Sequence, residues 1–221
     1  MNLSREEIAN LISDLQGKIL ITTHKNPDGD AIGSSLGWYN YLKRLGKNVK
    51  VIYRDRIPFF FDFLPGIEEI DVAEEITEEF DWVIITDVSE PKRTGFENIP
   101  ARKSIVIDHH ITAEPFTDYS IVEPKISSTC ELSYEIMKLI DPALIGYPVA
   151  LPIYTGIVTD TGGFSYNNTS PRTHTVAAEL IEKGINPYLV TKKIYERNRI
   201  NRFKLLELVL KTLDFAVGNK V

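Results

Sequence analysis

The sequence predicts an α/β protein built on a doubly wound, mainly parallel β-sheet with helices on both faces, followed by a helical connector. Two observations point to this class. Short apolar runs alternate along the chain with segments of helical periodicity. The runs are nearly unbroken, which is typical of parallel strands that are covered on both faces. The 221 residues contain no internal repeat or Gly/Ser linker, a length that suits one large domain or one domain with an appendage.

Five strands are predicted from the apolar runs. A sheet of this kind binds its ligands outside the carboxyl ends of its strands, so the residue after each run is of particular interest. In chain order the runs are KILITT (18–23), NVKVIYR (48–54), WVIIT (82–86), SIVI (104–107) and the weaker pattern YSIVEP (119–124).

Seven helices are predicted from apolar residues that recur at helical spacing. The first begins near the start of the chain and places Ile8, Leu11, Ile12 and Leu15 on one stripe. The others lie near 31–46, 128–140, 148–160, 171–183, 187–196 and 200–214.

Composition and charge exclude several classes of protein. Hydrophobic residues make up 43% of the chain and charged residues 25%, the balance of a globular domain. No apolar run is long enough to cross a bilayer, so we expect no membrane partner. The single cysteine, Cys130, fits a reducing compartment, and we expect a cytoplasmic protein. The net charge of −6 argues against a protein that coats long nucleic acid but is compatible with a small anionic substrate.

Acidic and histidine residues follow three of the predicted strands. The segment HKNPDGDA (24–31) comes after the first strand, Asp87 after WVIIT, and DHH (108–110) after SIVI. The carboxyl ends of parallel strands meet at one edge of the sheet, so these side chains are expected to converge there. Asp160 ends an apolar helix, where the helix dipole disfavours a negative charge. A nearby cation would remove that penalty.

Each of these residues taken alone also fits an ordinary structural role. The PDGD segment suits a turn, Asp87 could cap a helix, and His109 and His110 could be satisfied histidines in the core. Their joint arrival at one edge of the sheet favours a metal site over these separate explanations, because crowded carboxylates repel one another unless a cation lies between them.

Four segments in order resemble the motifs of the DHH phosphoesterases: HKNPDGDA, TDVSE, DHH and TDTG. That family includes single-strand exonucleases, phosphatases of short oligonucleotides and bisphosphonucleotides, and manganese-dependent inorganic pyrophosphatases. The stretches GSSLG, SSTCEL and NNTSPRTH are most similar to the nanoRNase-like branch, which acts on short oligonucleotides and bisphosphonucleotides. The resemblance covers residues 18 to 175.

The resemblance implies a two-metal site with a defined set of ligands. His24, Asp28 and Asp87 would hold the first ion. Asp30, His109, Asp160 and the shared Asp87 would hold the second. The four carboxylates carry −4 and two divalent ions carry +4, which leaves a neutral cluster. Imidazoles among carboxylates suit Mn²⁺, with Mg²⁺ or Co²⁺ as substitutes.

Other residues receive supporting roles. His110 is interpreted as a catalytic residue that contacts a phosphoryl oxygen or protonates the leaving group, and Asp108 as the residue that orients an imidazole or a loop amide. The helix N-termini near Ala31 and Ser128 are expected to present amides to phosphate. Contact with substrate is one interpretation of four residues, and packing, capping or helix structure is the other: Ser34, Ser128, Arg172 and His174.

The resemblance also implies a division of the chain. Residues 1–185 would form the catalytic domain, and 186–221 a helical connector toward a smaller substrate-binding domain that this sequence does not contain.

The predicted function is manganese-dependent hydrolysis of short oligonucleotides, linear dinucleotides (pNpN) or bisphosphonucleotides (pAp) to nucleoside monophosphates. Two metals could acidify a bridging water to the attacking hydroxide and stabilise the leaving oxygen. One alternative is an inorganic pyrophosphatase or polyphosphatase that uses the same metal site. Another is a non-catalytic, receiver-like or nucleotide-sensing module, which would need one magnesium ion and neither the histidines nor Asp160.

Overall fold

The computed structural model describes residues 1–111, 116–197 and 200–214. Its centre is one six-stranded sheet in which every pairing is parallel. This confirms the predicted α/β class. The strands are β1 (Lys18–Thr22), β2 (Asn48–Tyr53), β3 (Ile70–Val72), β4 (Phe80–Thr86), β5 (Ala101–Asp108) and β6 (Tyr119–Val122).

Five of the six strands match the predicted runs, and β3 was missed. It has only three residues, of which the central one is Asp71, and it pairs along one side with β2 at the edge of the sheet. A strand this short has no apolar run that could distinguish it from a loop.

The strand order is β3-β2-β1-β4-β5-β6. The chain moves outward from β1 to β3 and then returns to β4 on the other side of β1, so the order reverses between β1 and β4. In doubly wound sheets a crevice opens at this reversal, outside the carboxyl ends of the strands. The topology therefore singles out the ends of β1 and β4 as the place for a ligand.

All seven predicted helices are present among the described residues. Their bounds are α1 (Arg5–Asp14), α2 (Gly29–Arg44), α3 (Thr129–Ile140), α4 (Tyr147–Asp160), α5 (Pro171–Ile181), α6 (Pro187–Tyr195) and α7 (Ile200–Leu210). None of these helices is long and apolar enough to cross a membrane. The expected cytoplasmic location stays a prediction.

Alternate residues of the strands belong to two apolar clusters, one on each face of the sheet. The larger cluster combines Ile19, Ile21 and Ile84 with side chains from α1 to α6. The smaller one combines Leu20, Ile85 and their neighbours with residues from the connections that flank β4, and no residue of the seven helices belongs to it. Helical cover is therefore concentrated on one face, since the described residues of the connections on the other face contain only a short 3₁₀ turn at Pro91–Thr94.

The last helix differs from the others in its burial. No residue of α7 is buried, and large apolar side chains such as Phe203 and Leu206 are exposed. The predicted boundary at residue 185 falls between α5 and α6, and it remains a prediction. Residues 215–221 of the predicted connector lie outside the described residues.

Candidate metal centre

Three neighbouring strands deliver the predicted site residues to one edge of the sheet. His24 follows β1, Asp87 follows β4 directly, and β5 ends at Asp108 with His109 and His110 next in the chain. Because β1, β4 and β5 are adjacent in the sheet, these side chains come together at the reversal of strand order. Asp87 has a φ of 60°, in the left-handed region that Asp tolerates better than most residues.

Two helices complete the cluster. Asp28 is the N-cap of α2, and its side chain accepts hydrogen bonds from the amides of Asp30 (3.0 Å) and Ala31 (3.1 Å). Asp30 lies in the first turn of α2 and is buried. Asp160 is the last residue of α4. The packing of α2 against α4 thus brings carboxylates from opposite ends of two helices to the same place.

The first group consists of His24, Asp28 and Asp87, whose ligand atoms all lie within 4.8 Å of one another. The Nε2 atom of His24 is 3.5 Å from Oδ2 of Asp87 and 3.8 Å from Oδ1 of Asp28. Its Nδ1 atom is 2.9 Å from the carbonyl oxygen of Lys25, which is a hydrogen-bond acceptor. This contact places the proton on Nδ1 and leaves Nε2 to face the carboxylates, the arrangement that metal-binding histidines commonly have.

The second group consists of Asp30, His109 and Asp160. The Nε2 atom of His109 lies 3.8 Å from Oδ2 of Asp30 and 3.7 Å from Oδ2 of Asp160. It is also 3.8 Å from Oδ1 of Asp87. Asp87 therefore turns one oxygen toward each group, since its Oδ2 atom faces His24.

These spacings fit ligands that surround a cation. Distances of 3.5 to 3.8 Å are longer than a hydrogen bond, which spans about 2.7–3.2 Å between N and O. Ligands that each lie about 2.1 Å from a common ion can be up to about 4.2 Å apart. The ion pairs recorded for these carboxylates within the described parts of the chain involve only histidines.

The acid–base equilibria of the cluster also favour a cation. Burial, together with repulsion from Asp87, Asp160 and Asp28, raises the pKa of Asp30 well above its usual value. Burial also raises the pKa of Asp160 to about 6; the attraction of His109 opposes this rise, and repulsion from Asp87 adds to it. Burial opposes the charged form of His24, but the neighbouring carboxylates of Asp28 and Asp87 favour it more strongly and raise the pKa of His24 to about 10. The free cluster therefore holds protons, which a bound cation would displace.

His110 differs from the other two histidines because a carboxylate binds one of its ring nitrogens. Its Nδ1 atom is 2.7 Å from Oδ1 of Asp108, and this hydrogen bond is the main cause that raises the pKa of His110. The same oxygen accepts the backbone amides of His109 (2.9 Å) and His110 (3.3 Å). Asp87, His109 and His110 also form a third group of closely spaced ligand atoms. The hydrogen bond to Asp108 fixes the orientation of the His110 ring, and the interpretation of His110 as a non-ligand stays a prediction.

The four residues offered for substrate contact lie outside the three groups. Ser34 is buried within α2 and donates to the carbonyl of Asp30 (2.7 Å). Ser128 is buried as the N-cap of α3, where it accepts the amide of Glu131 (3.0 Å). Arg172 pairs with Glu135 and Glu179. His174 is exposed and stacks on the ring of Phe164, with centroids 5.3 Å apart. Their contact with substrate stays a prediction.

The helix N-termini do not present their amides as expected. At α2 the amides of Asp30 and Ala31 donate to Asp28. At α3 the amides of Thr129 and Cys130 donate to Asp30, at 2.7 and 2.8 Å. The expectation that these amides bind phosphate is therefore wrong, because carboxylates of the cluster already occupy them.

Two residues near the ligands were not identified from the sequence. The hydroxyl of Thr129 donates to Oδ1 of Asp87 at 3.1 Å. The amide nitrogen of Asn168 lies 3.1 Å from the carbonyl oxygen of Asp160 and 2.9 Å from that of Ser127. The stretches SSTCEL and NNTSPRTH carried a signal for both positions, but the partners of these side chains depend on contacts between distant segments.

The fold and the cluster define a doubly wound α/β protein with a candidate two-metal centre at its reversal of strand order. The chain belongs to the DHH family: the family model "DHH family, N-terminal domain" matches residues 18–157. This confirms the resemblance drawn from the four motifs.

Comparisons with known proteins found relatives of similar sequence and a solved structure of similar fold. The chain is 35% identical over 212 residues to the bifunctional oligoribonuclease and PAP phosphatase NrnA of Thermus thermophilus. The aligned region covers 96% of this chain and 64% of that protein. It is 28% identical over 217 residues to the Bacillus subtilis protein of the same name, with 96% and 67% covered. A crystal structure of an exopolyphosphatase-related protein from Bacteroides fragilis superimposes with a TM-score of 0.86 at 31% identity, over 96% of this chain and 66% of the other. The chain thus spans about two thirds of the length of these relatives.

Proposed function

We propose that this chain carries the catalytic centre of a metal-dependent phosphoesterase. It hydrolyses short oligonucleotides, linear dinucleotides (pNpN) or bisphosphonucleotides (pAp) to nucleoside monophosphates. One observation supports the reaction type above all others: the carboxylate of Asp87 lies between two ligand groups, with Oδ2 directed at His24 and Oδ1 at His109. Paired metal sites that share a ligand are suited to displacement at phosphorus.

Seven contributions would hold the two ions. His24, Asp28 and Asp87 form one set, and Asp30, His109, Asp160 and again Asp87 form the other. Bound divalent ions would supply Lewis acidity and positive charge at a phosphoryl group. The mixture of imidazole and carboxylate supports Mn²⁺ as the resident ion, with Mg²⁺ or Co²⁺ as substitutes.

His110 acts on the substrate directly in this proposal. The carboxylate of Asp108 holds its Nδ1–H and stabilises the charged imidazolium. The Nε2–H is then available to donate a proton to the leaving oxygen, or a hydrogen bond to a phosphoryl oxygen. Asp108 is fully buried, so it orients the ring and does not contact the substrate itself.

The substrate class is supported by the relatives. The two NrnA proteins are named as oligoribonucleases and PAP phosphatases, and a terminal phosphate is a group that two divalent ions would bind. The division into a catalytic domain at 1–185 and a connector at 186–221 belongs to the same proposal. It is supported by the position of all six proposed ligand residues between 24 and 160 and by the exposed surface of α7.

Hydrolysis of pyrophosphate or polyphosphate is the second candidate. It is favoured by the structural similarity to a protein named as exopolyphosphatase-related. A receiver-like module is disfavoured, since such a module needs one magnesium ion and no histidine, whereas each ligand group of the cluster contains an imidazole.

The test is an assay of the purified chain with Mn²⁺ on pApA, pAp and pyrophosphate, with the metal content measured on the same sample. We expect two ions per chain, AMP from pApA, and AMP plus phosphate from pAp. Asp87→Asn should abolish these products, whereas Asp14→Asn, a matched change at the end of α1, should retain them. Hydrolysis of pyrophosphate alone would establish the second candidate. A chain with two ions and no hydrolysis of any of the three would contradict both.

A further inference from the structure

The N-terminus of α3 contacts the candidate metal centre through the carboxylate of Asp30. Its first two amides, from Thr129 and Cys130, donate to the two oxygens of Asp30 at 2.7 and 2.8 Å. Both residues are fully buried. The carboxylate of Asp30 is thereby fixed in one plane, with a separate donor on each oxygen.

Thr129 also contacts the carboxylate shared by the two groups. Its hydroxyl donates to Oδ1 of Asp87 at 3.1 Å. This is the oxygen that faces His109, and the other oxygen faces His24. A carboxylate can serve two groups only if it does not rotate about its Cβ–Cγ bond, because rotation would turn both oxygens away together. The hydrogen bond from Thr129 opposes that rotation.

We propose that Thr129 is a positioning residue for the metal centre. Its amide and hydroxyl hold Asp30 and Asp87 in the orientation that binds two divalent ions. The inference rests on the metal centre of the proposed function, but it concerns a residue outside the ligand set. Residues that hydrogen-bond to metal ligands in this way commonly control metal affinity.

The packing of Cys130 explains why Thr129 can hold a fixed position. The Cys130 side chain fits against Gly33 of α2 and Gly156 of α4. A Cβ atom at either glycine would lie within 2.8 Å or 2.2 Å of its sulfur, respectively. This close approach locks α3 against the two helices that carry Asp30 and Asp160. Thr129 is therefore placed relative to ligands on separate elements by the core itself.

The experiment compares three substitutions at this position with a matched control. Thr129→Val removes the hydroxyl and keeps the shape, Thr129→Ala removes it without adding bulk, and Thr129→Ser retains it. Thr155→Val is the control, because Thr155 is also fully buried and its hydroxyl has no hydrogen-bond partner among the described residues. Affinity for Mn²⁺ is measured by calorimetric titration of the chelator-treated chain, and melting is measured in chelator.

We expect Thr129→Val and Thr129→Ala to bind Mn²⁺ about 10- to 100-fold more weakly than the wild-type chain. Thr129→Ser should restore affinity to within about threefold, and Thr155→Val should bind like the wild type. Melting in chelator should differ little between Thr129→Val and Thr155→Val. A loss of affinity that is shared by Thr129→Val and Thr129→Ala and absent in Thr129→Ser identifies the hydroxyl as its cause, even if one variant is less stable.

Unchanged affinity in Thr129→Val and Thr129→Ala would overturn the inference, as would an equal loss in Thr129→Ser or Thr155→Val. The readout separates this result from a failure of the proposed function. A wild-type chain that binds Mn²⁺ but cleaves no phosphate ester would refute the function and leave the role of Thr129 intact. A wild-type chain that binds no ion would refute both.

Discussion

Replacement of Asp160 by asparagine should change the stability of the protein in opposite directions with and without metal. Asp160 is the last residue of α4 and lies beside the carboxylates of the cluster. In the metal-free protein its negative charge destabilises the folded state, because the charge is partly buried near other carboxylates and at the negative end of a helix. In the metal-loaded protein the same charge is a ligand.

The metal-free effect follows from the pKa of Asp160, which is raised from an ordinary value of 3.8 to about 6, first by burial. The folded state holds this proton more tightly than the unfolded state. Stability is therefore lost as the pH rises from about 4 through 6, and the full penalty applies above that range. Two pKa units correspond to about 3 kcal/mol. The side chain is 28% exposed, so solvent screening reduces the expected gain in Asp160→Asn to about 1–2 kcal/mol at pH 8.

The metal-loaded effect has the opposite sign. An ion at 100 times its dissociation constant stabilises the folded state by about 2.7 kcal/mol. Asp160→Asn removes one of the charged ligands of the second group, so most of this stabilisation should be lost. For a chain of this length, 1 kcal/mol shifts the melting temperature by roughly 2–4 °C. The variant should melt roughly 2–8 °C above the wild type in chelator at pH 8, and below it in saturating Mn²⁺.

The assay is thermal unfolding followed by circular dichroism, in chelator and in Mn²⁺, at pH 8 and near pH 4. Asp14→Asn is the matched control because Asp14 is the last residue of α1 and lies outside the cluster. It should show only the helix-end effect, about 0.3–1 kcal/mol, with no dependence on metal. The difference between Asp160→Asn and the wild type in chelator should shrink toward zero near pH 4.

Two results would refute the reasoning. One is a variant that melts below the wild type in chelator at pH 8, which would mean that the charge of Asp160 does not destabilise the metal-free fold. The other is a variant that gains as much stability from Mn²⁺ as the wild type does, which would exclude Asp160 from the ligands.

Three further predictions concern the site and its packing. Asp87→Asn should lower the affinity for both ions and abolish turnover, since the two oxygens of Asp87 face different ligand groups. Activity within a few-fold of wild type would exclude Asp87 as a shared ligand. His110→Ala should retain two ions by elemental analysis while turnover falls about 10²–10³-fold; loss of one ion would make His110 a ligand. Gly156→Ala should destabilise the fold by about 1–3 kcal/mol in thermal melts, because its Cβ would lie 2.2 Å from the sulfur of Cys130. Adding Cys130→Ala should recover part of that loss, and no recovery would contradict the proposed clash.

The sequence was sufficient for most of the fold because its elements carry strong local signals. Apolar runs such as KILITT and WVIIT became β1 and β4, and helical periodicity located all seven helices. The edge strand β3 was missed because three residues around Asp71 carry no such signal. The residues that cover the second face of the sheet could also not be predicted from the sequence, since the connections on either side of β4 pack there without regular periodicity.

The ligand groups could be anticipated from the sequence for a topological reason. Acids and histidines that directly follow parallel strands must meet at one edge of the sheet, whatever the details of side-chain packing. His24, Asp87 and His109 are positioned in this way, and the structure places each of them within 4.8 Å of other ligand atoms. Their roles as ligands remain part of the proposal.

The orientation of these side chains was decided by tertiary structure alone. Thr129 is 42 residues from Asp87 in the chain and 99 from Asp30, yet it donates a hydrogen bond to each. Those bonds exist because Gly33 and Gly156 let α3 approach α2 and α4 closely around Cys130. The same approach directed the α3 amides to Asp30 instead of leaving them open for phosphate. Local sequence determines where a strand ends and which residue follows it, whereas the partner of a buried donor depends on which distant backbone is packed against it.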